Sequence, residues 1–188
     1  MIARSTDKAW EGTNSAALYA LGSALLLQRN EPSGNQAFAK YVALAGDDGD
    51  AVKEAKVNVD VVRFDVLLRK KDAAGAHRFA AEVSERIDGD GRYQNRFARQ
   101  LLTDPRVSEQ RDLSVIERIA RRAVEVSAGR NAHTLMTLAR VQFMQGSKDE
   151  AIKTQETAVQ LLKDSPQQQK NAEKALAAYR AGQLPAEE

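Results

Sequence analysis

The chain has 188 residues and carries 28 Lys and Arg against 26 Asp and Glu, a net charge of +2. That length supports one domain with a sizeable core, and the charge is too balanced to argue for nucleic acid on its own. It contains no cysteine, which excludes disulfides, thiolate metal sites and a dithiol redox centre. Aromatic residues are only 5% while alanine is abundant, a composition suited to close-packed helices.

The longest apolar run, Ala16 to Leu27, is too short for a membrane span, which needs about 20 apolar residues. It also lacks the basic segment and clear cleavage site of a signal peptide. It reads as a central buried helix over 7–28 that includes Trp10, Leu18, Leu21, Gly22 and Leu25. Asn30-Glu-Pro-Ser-Gly34 is a turn by composition, followed by a helix over 35–45 with Ala37, Phe38, Tyr41, Val42 and Leu44 apolar. Gly46 to Asp50 is a loop, with Asp50 as a helix cap. In 51–70, Val57, Val59 and Val61 alternate as in a strand, whereas Ala55, Val59, Val62 and Val66 fit a helix equally well. Helical neighbours and the length of the segment favour helix.

Ala73 to Ile87 is the next helix, burying Ala76, Phe79, Ala80 and Val83, and Asp88-Gly-Asp-Gly91 is a loop. A short helix over 93–102 leads through a connection containing Pro105 to a helix capped by Asp112, with Ile116, Ile119, Ala120 and Ala123 inside. Ala123-Val-Glu-Val126 and Ala158-Val-Gln-Leu161 lie 35 positions apart, an internal sign of a repeat. Ser165 caps and Pro166 opens a last helix, with Ala172, Ala175, Leu176 and Tyr179 as its apolar stripe. Residues 182–188 read as a frayed tail.

The segment 131–163 organises the rest. Leu135, Leu138 and Ala139 share one face of a helix, Gly146 closes it in the left-handed conformation, and Ser147 with Glu150 forms a capping box. A second helix then buries Ala151, Ile152, Ala158, Leu161 and Leu162. Leu138-Ala139, Gly146, Asp149-Glu-Ala-Ile152, Ala158 and Leu161 fall at the spacing of a tetratricopeptide repeat of about 34 residues, which this segment resembles. It departs from the family at Leu135, Gln142 and Gln155, where aromatic residues are common, and at Lys163, where proline usually closes the repeat. The resemblance implies an all-α fold over 1–188: antiparallel helical hairpins stacked as a short tetratricopeptide-like (TPR-like) α-solenoid, one domain, with a capping helix over 166–181 that keeps the stack's end polar.

Residues 93–163 are also similar to the helical C-terminal region of bacterial proteins that carry a thioredoxin-like domain ahead of it. Leu101-Leu-Thr-Asp-Pro105, Arg111-Asp-Leu113, Thr137-Leu-Ala-Arg-Val141 and Gln155 carry that likeness. It implies a helical module attached to a redox domain, often in exported proteins. The paired cysteines of that domain are absent from this sequence, so its chemistry does not transfer.

Nothing in the sequence assembles a catalytic site, and no metal or cofactor is expected. His77 and His133 lack acidic or histidine partners at ligand spacing and read as surface or groove residues. The acidic runs 47–50 and 88–90 miss the glycine and glutamate positions of a calcium loop. Arg118, Arg121, Arg122 and Arg130, with Arg63, Arg69, Lys70 and Lys71, offer phosphate a basic strip, which Glu117 and Glu125 offset. In the family resembled, the first helix of each pair lines a binding groove. Carried over, that places His133, Met136, Arg140, Phe143 and Met144 on it, with Arg140 able to hold a carboxylate by two hydrogen bonds. The competing reading buries Met136, Phe143 and Met144 against the preceding helix pair. The sequence therefore points to a scaffold that binds a protein or peptide partner without catalysis. The alternatives are a structural or dimerising appendage of a thioredoxin-like enzyme and, third, a weak nucleic-acid binder.

Overall fold

The computed structural model describes residues 3–87 and 91–186, with side chains from Asn14 onward. Among them the fold is all-α, without a strand: α1 (Ala3–Leu27), α2 (Glu31–Ala43), α3 (Gly49–Arg69), α4 (Ala73–Arg86), α5 (Arg92–Thr103), α6 (Leu113–Val126), α7 (Ala132–Met144), α8 (Lys148–Leu161) and α9 (Pro166–Arg180). The ambiguous stretch 57–62 lies inside α3. Val59, Val61, Val62, Phe64, Val66 and Leu68 are all buried there, so α3 is apolar on more than one side and fits both periods. The chain divides into two compact units, Met1–Lys70 and Lys71–Glu188. No linker marks the boundary; Lys71 makes the turn with a φ of +56°.

In the first unit α1, α2 and α3 pack against one another. Gly22 and Gly34 let α1 and α2 cross closely. A Cβ at Gly22 would lie 2.7 Å from the Phe38 ring, and one at Gly34 would lie 3.2 Å from the Gly22 carbonyl. Leu26, Phe38, Val59, Val62 and Val66 form the core, flanked by Tyr19 and Tyr41. Three sequence expectations change here. Asn30–Gly34 is the start of α2, not a turn: the Asn30 side chain accepts from the Ser33 N–H at 3.4 Å, and a proline sits in the first helical turn. Asp48, rather than Asp50, caps α3, accepting from Asp50 and Ala51. The run Ala16–Leu27 is not a buried helix, since Leu21 and Leu27 are 52% and 44% exposed. The Trp10 side chain lies outside the described residues.

In the second unit each helix from α4 to α9 packs on the next, and α4 also meets α6 as α5 meets α7. This next-but-one contact is the mark of a repeat-like stack. The contacts run through alanines with no exposed surface: Ala76, Ala80, Ala98, Ala120, Ala123, Ala139, Ala151, Ala158 and Ala172. Asp112 caps α6, accepting from Ser114 and Val115; these hydrogen bonds, led by the Ser114 hydroxyl, hold its carboxyl below the ordinary range. Gly146 closes α7 with a φ of +88°, as its position implies.

The capping box does not form. Ser147 stands at the N-cap but makes no side-chain cap, and Glu150 faces Gln142 (3.4 Å) and Arg121 (3.7 Å). Ser165 likewise makes no side-chain cap. Leu161 is 42% exposed while Leu162 takes the interior place, and Ile152 is only half-buried. Residues 88–90 lie outside the described residues. No described helix is long and apolar enough to cross a membrane.

The turn into α5 is fixed twice. Gly91 has a φ of +79°, and a Cβ there would collide with the Ala123 carbonyl of α6. Buried Gln94 then donates to the Ile87 and Ser84 carbonyls at the end of α4. Gly91→Ala combines left-handed strain with a backbone clash, and we expect it to cost about 3 kcal/mol. Chemical denaturation of the two chains measures this; a loss below about 1 kcal/mol would contradict the close approach.

Candidate functional site

One groove of about 580 Å³ opens in the second unit, lined by α5, α7, α8, α9 and the segment after α9. Its floor is set by helix packing. Met136 is half-buried against the cluster of Ala132, Leu135, Ala158, Leu162 and Ala172. Gln155, fully interior, donates to the Ala172 carbonyl at 2.9 Å and ties α8 to α9. One wall is Tyr179 of α9. Burial, partly offset by the Arg140 charge, pushes its phenol from 10.0 up to about 12.

The rim is basic. Arg99, His133, Arg140 and Lys174 line the groove, and no Asp or Glu does so among the described residues. Asn95 also lines it, and its Oδ1 is buried without a hydrogen-bond partner among the described residues. Such a gap costs about 1–3 kcal/mol.

Arg140 is half-buried, and its Nη1 donates to the carbonyl of Pro185 at 3.0 Å. Residues 182–186 are therefore not a frayed tail. Gly182 takes a φ of +72°, the Gly182 and Gln183 N–H groups donate to the Tyr179 and Ala178 carbonyls at 2.9 Å each, and Pro185 and Ala186 come to line the groove. Residues 187 and 188 lie outside the described residues.

Of the five residues expected on a groove, His133, Met136 and Arg140 line this one. Phe143 and Met144 do not, and both are half-buried. Phe143 packs on α9, with its ring 4.8 Å from that of Tyr179, and the Lys148 ammonium of α8 lies 5.9 Å above it. The contribution of α5 was missed. Aligning Phe97-Ala98 with Leu138-Ala139, an offset of 41 positions, places Asn95 and Arg99 opposite Met136 and Arg140. The second helices repeat at 35 instead, because nine residues join α5 to α6 and three join α7 to α8. The unequal connections hide the repeat of the groove positions.

His77 is buried, not at the surface, and both ring nitrogens are engaged. Nδ1 lies 2.7 Å from the Ala73 carbonyl, so it carries the proton, and Nε2 accepts from the Asp112 N–H at 3.1 Å. A wider recess of about 820 Å³ beside it mixes Arg78 and Arg118 with Glu82 and Glu85, and its histidine has no nitrogen left for a ligand.

Among the described residues, four of the eight cations of the basic strip, Arg63, Arg69, Arg121 and Arg122, meet carboxylates. Arg121 meets Glu117 at 2.6 Å and Arg122 meets Glu125 at 3.0 Å. In the first unit Arg69 meets Asp65 at 2.6 Å and Arg63 donates to Asn35 at 2.9 Å. Among the described residues no three His, Asp or Glu side chains gather to hold a metal.

Because the Tyr179 phenol titrates higher folded than unfolded, it contributes stability that is complete below pH 10 and lost as pH rises toward 12. Tyr179→Phe should flatten the fall in stability over that window. Denaturation midpoints at pH 9 and 11.5 check this, and an unchanged slope would contradict the burial of the phenol. No family model, curated protein or solved structure matches the chain.

Proposed function

We propose that the chain is a tetratricopeptide-like protein-interaction module without intrinsic catalysis, and that its groove receives an extended peptide from a partner. The observation that carries this reading is the Arg140–Pro185 hydrogen bond: an extended segment already presents a main-chain carbonyl to Arg140. A peptide from another protein needs the same interaction, because its backbone acceptors must be matched when they leave water. The Met136 floor supplies an adaptable apolar surface, and the basic rim favours an acidic partner by charge complementarity.

A second reading, a structural appendage that docks on an attached enzyme domain, is favoured by α1. Its exposed Ala17, Leu21, Ala24 and Leu27 leave one apolar side of that helix facing outward.

A random peptide library displayed on phage and panned against the immobilised chain tests the groove. Acidic peptides should be enriched. Arg140→Glu should weaken their binding at least tenfold, as expected for a hydrogen-bonded charge in a binding site. Arg118→Glu, away from the groove, should leave binding unchanged, with circular dichroism showing both variants folded. Equal loss in both variants, or peptides insensitive to Arg140, would contradict the assignment.

A further inference from the structure

Resting on the peptide-groove reading, we infer that residues 184–186 form an intramolecular strap that covers one side of the groove, holds Arg140 and competes there with the partner peptide. The strap is built by the end of α9. Gly182 turns the chain in the left-handed conformation, the Gln183 N–H donates back to the Ala178 carbonyl, and the following residues run over the groove to Arg140. Proline at 185 fixes φ and removes a donor, so the strap presents a carbonyl with little entropy to lose. Its sequence continues into Glu187 and Glu188.

The hold is weak by construction. Leu184 is 45% exposed and contributes little burial. A tethered occupant acts at a millimolar effective concentration, and a partner's apparent affinity falls by the fraction of chains whose groove is open. A partner of moderate affinity can therefore displace it.

The test uses a fluorescein-labelled peptide of sequence Gly-Gln-Leu-Pro-Ala-Glu-Glu, residues 182–188, in fluorescence anisotropy titrations. Titrants are the full chain and a chain ending at Gln183. Binding to the shortened chain should be about tenfold tighter than to the full chain, and Arg140→Glu in the shortened chain should abolish it. Equal affinity for the two chains overturns the strap and leaves the groove reading standing.

A second measurement reads the strap without a ligand. The chain has no cysteine, so Leu184→Cys carries a single nitroxide label. Its paramagnetic resonance spectrum should show restricted motion in the full chain and release in the Arg140→Ala background. A freely moving label in both overturns the strap. A restricted label, with no peptide bound to either chain, refutes both the competition and the groove.

Discussion

Helices in the second unit meet through alanines that have no exposed surface, from Ala76 on α4 to Ala172 on α9. The distance between two packed helices is set by the side chains at their contact, about 8–10 Å. Alanine at the crossing brings the backbones to the near end of that range. Everything that places the groove follows from this spacing. It lets α5 and α7 lie side by side, and it brings the Ala172 carbonyl close enough for Gln155 to reach. A larger side chain at Ala98, Ala139 or Ala172 would separate the helices that carry Arg99, Arg140 and Tyr179.

Polar groups in this interior are few, and several of them join one helix to another. Gln94 ties α5 back to α4, His77 reaches from α4 to the start of α6, and Gln155 joins α8 to α9. Gln94 and His77 satisfy main-chain groups at a helix end or start, where the helix leaves donors or acceptors unpaired, while Gln155 donates to a carbonyl in the middle of α9. These contacts specify which helix follows which, while the alanines set how close they come. The groove forms where the stack turns to its last helix, and there the chain's own segment supplies the fifth lining element. Arg140 thus has two parts: its charge offsets some of the upward shift that burial imposes on the Tyr179 phenol, and it holds a carbonyl.

Much of this was legible in the sequence because it is local. The helices, the Asp112 cap, the Gly146 closure and the polar outer side of α9 follow from residues within a turn or two of each other. The α3 segment was ambiguous because it is buried on more than one side, which erases its period. The cap read at Asp50 is taken by Asp48, because two competent aspartates stand at the start of α3. Ser147 and Ser165 hold the N-cap positions read for them, but neither hydroxyl makes a cap hydrogen bond. The tetratricopeptide resemblance assigns His133, Met136 and Arg140 to a groove, and they line this one. It does not assign Asn95 and Arg99, because a connection six residues longer puts them out of phase with α7. The return of residues 182–186 had no local signal beyond Gly182 and Pro185; it depends on Arg140, 45 positions away.

The most direct test of the groove is a crystal structure of the chain ending at Gln183, bound to the tightest peptide from the phage selection. The peptide should lie between α5, α7 and α9, with one of its main-chain carbonyls within hydrogen-bond distance of Arg140 Nη1 and its acidic side chains toward Arg99 or Lys174. A peptide seated on another face, with Arg140 making no contact to it, would contradict the assignment of this groove as the binding site.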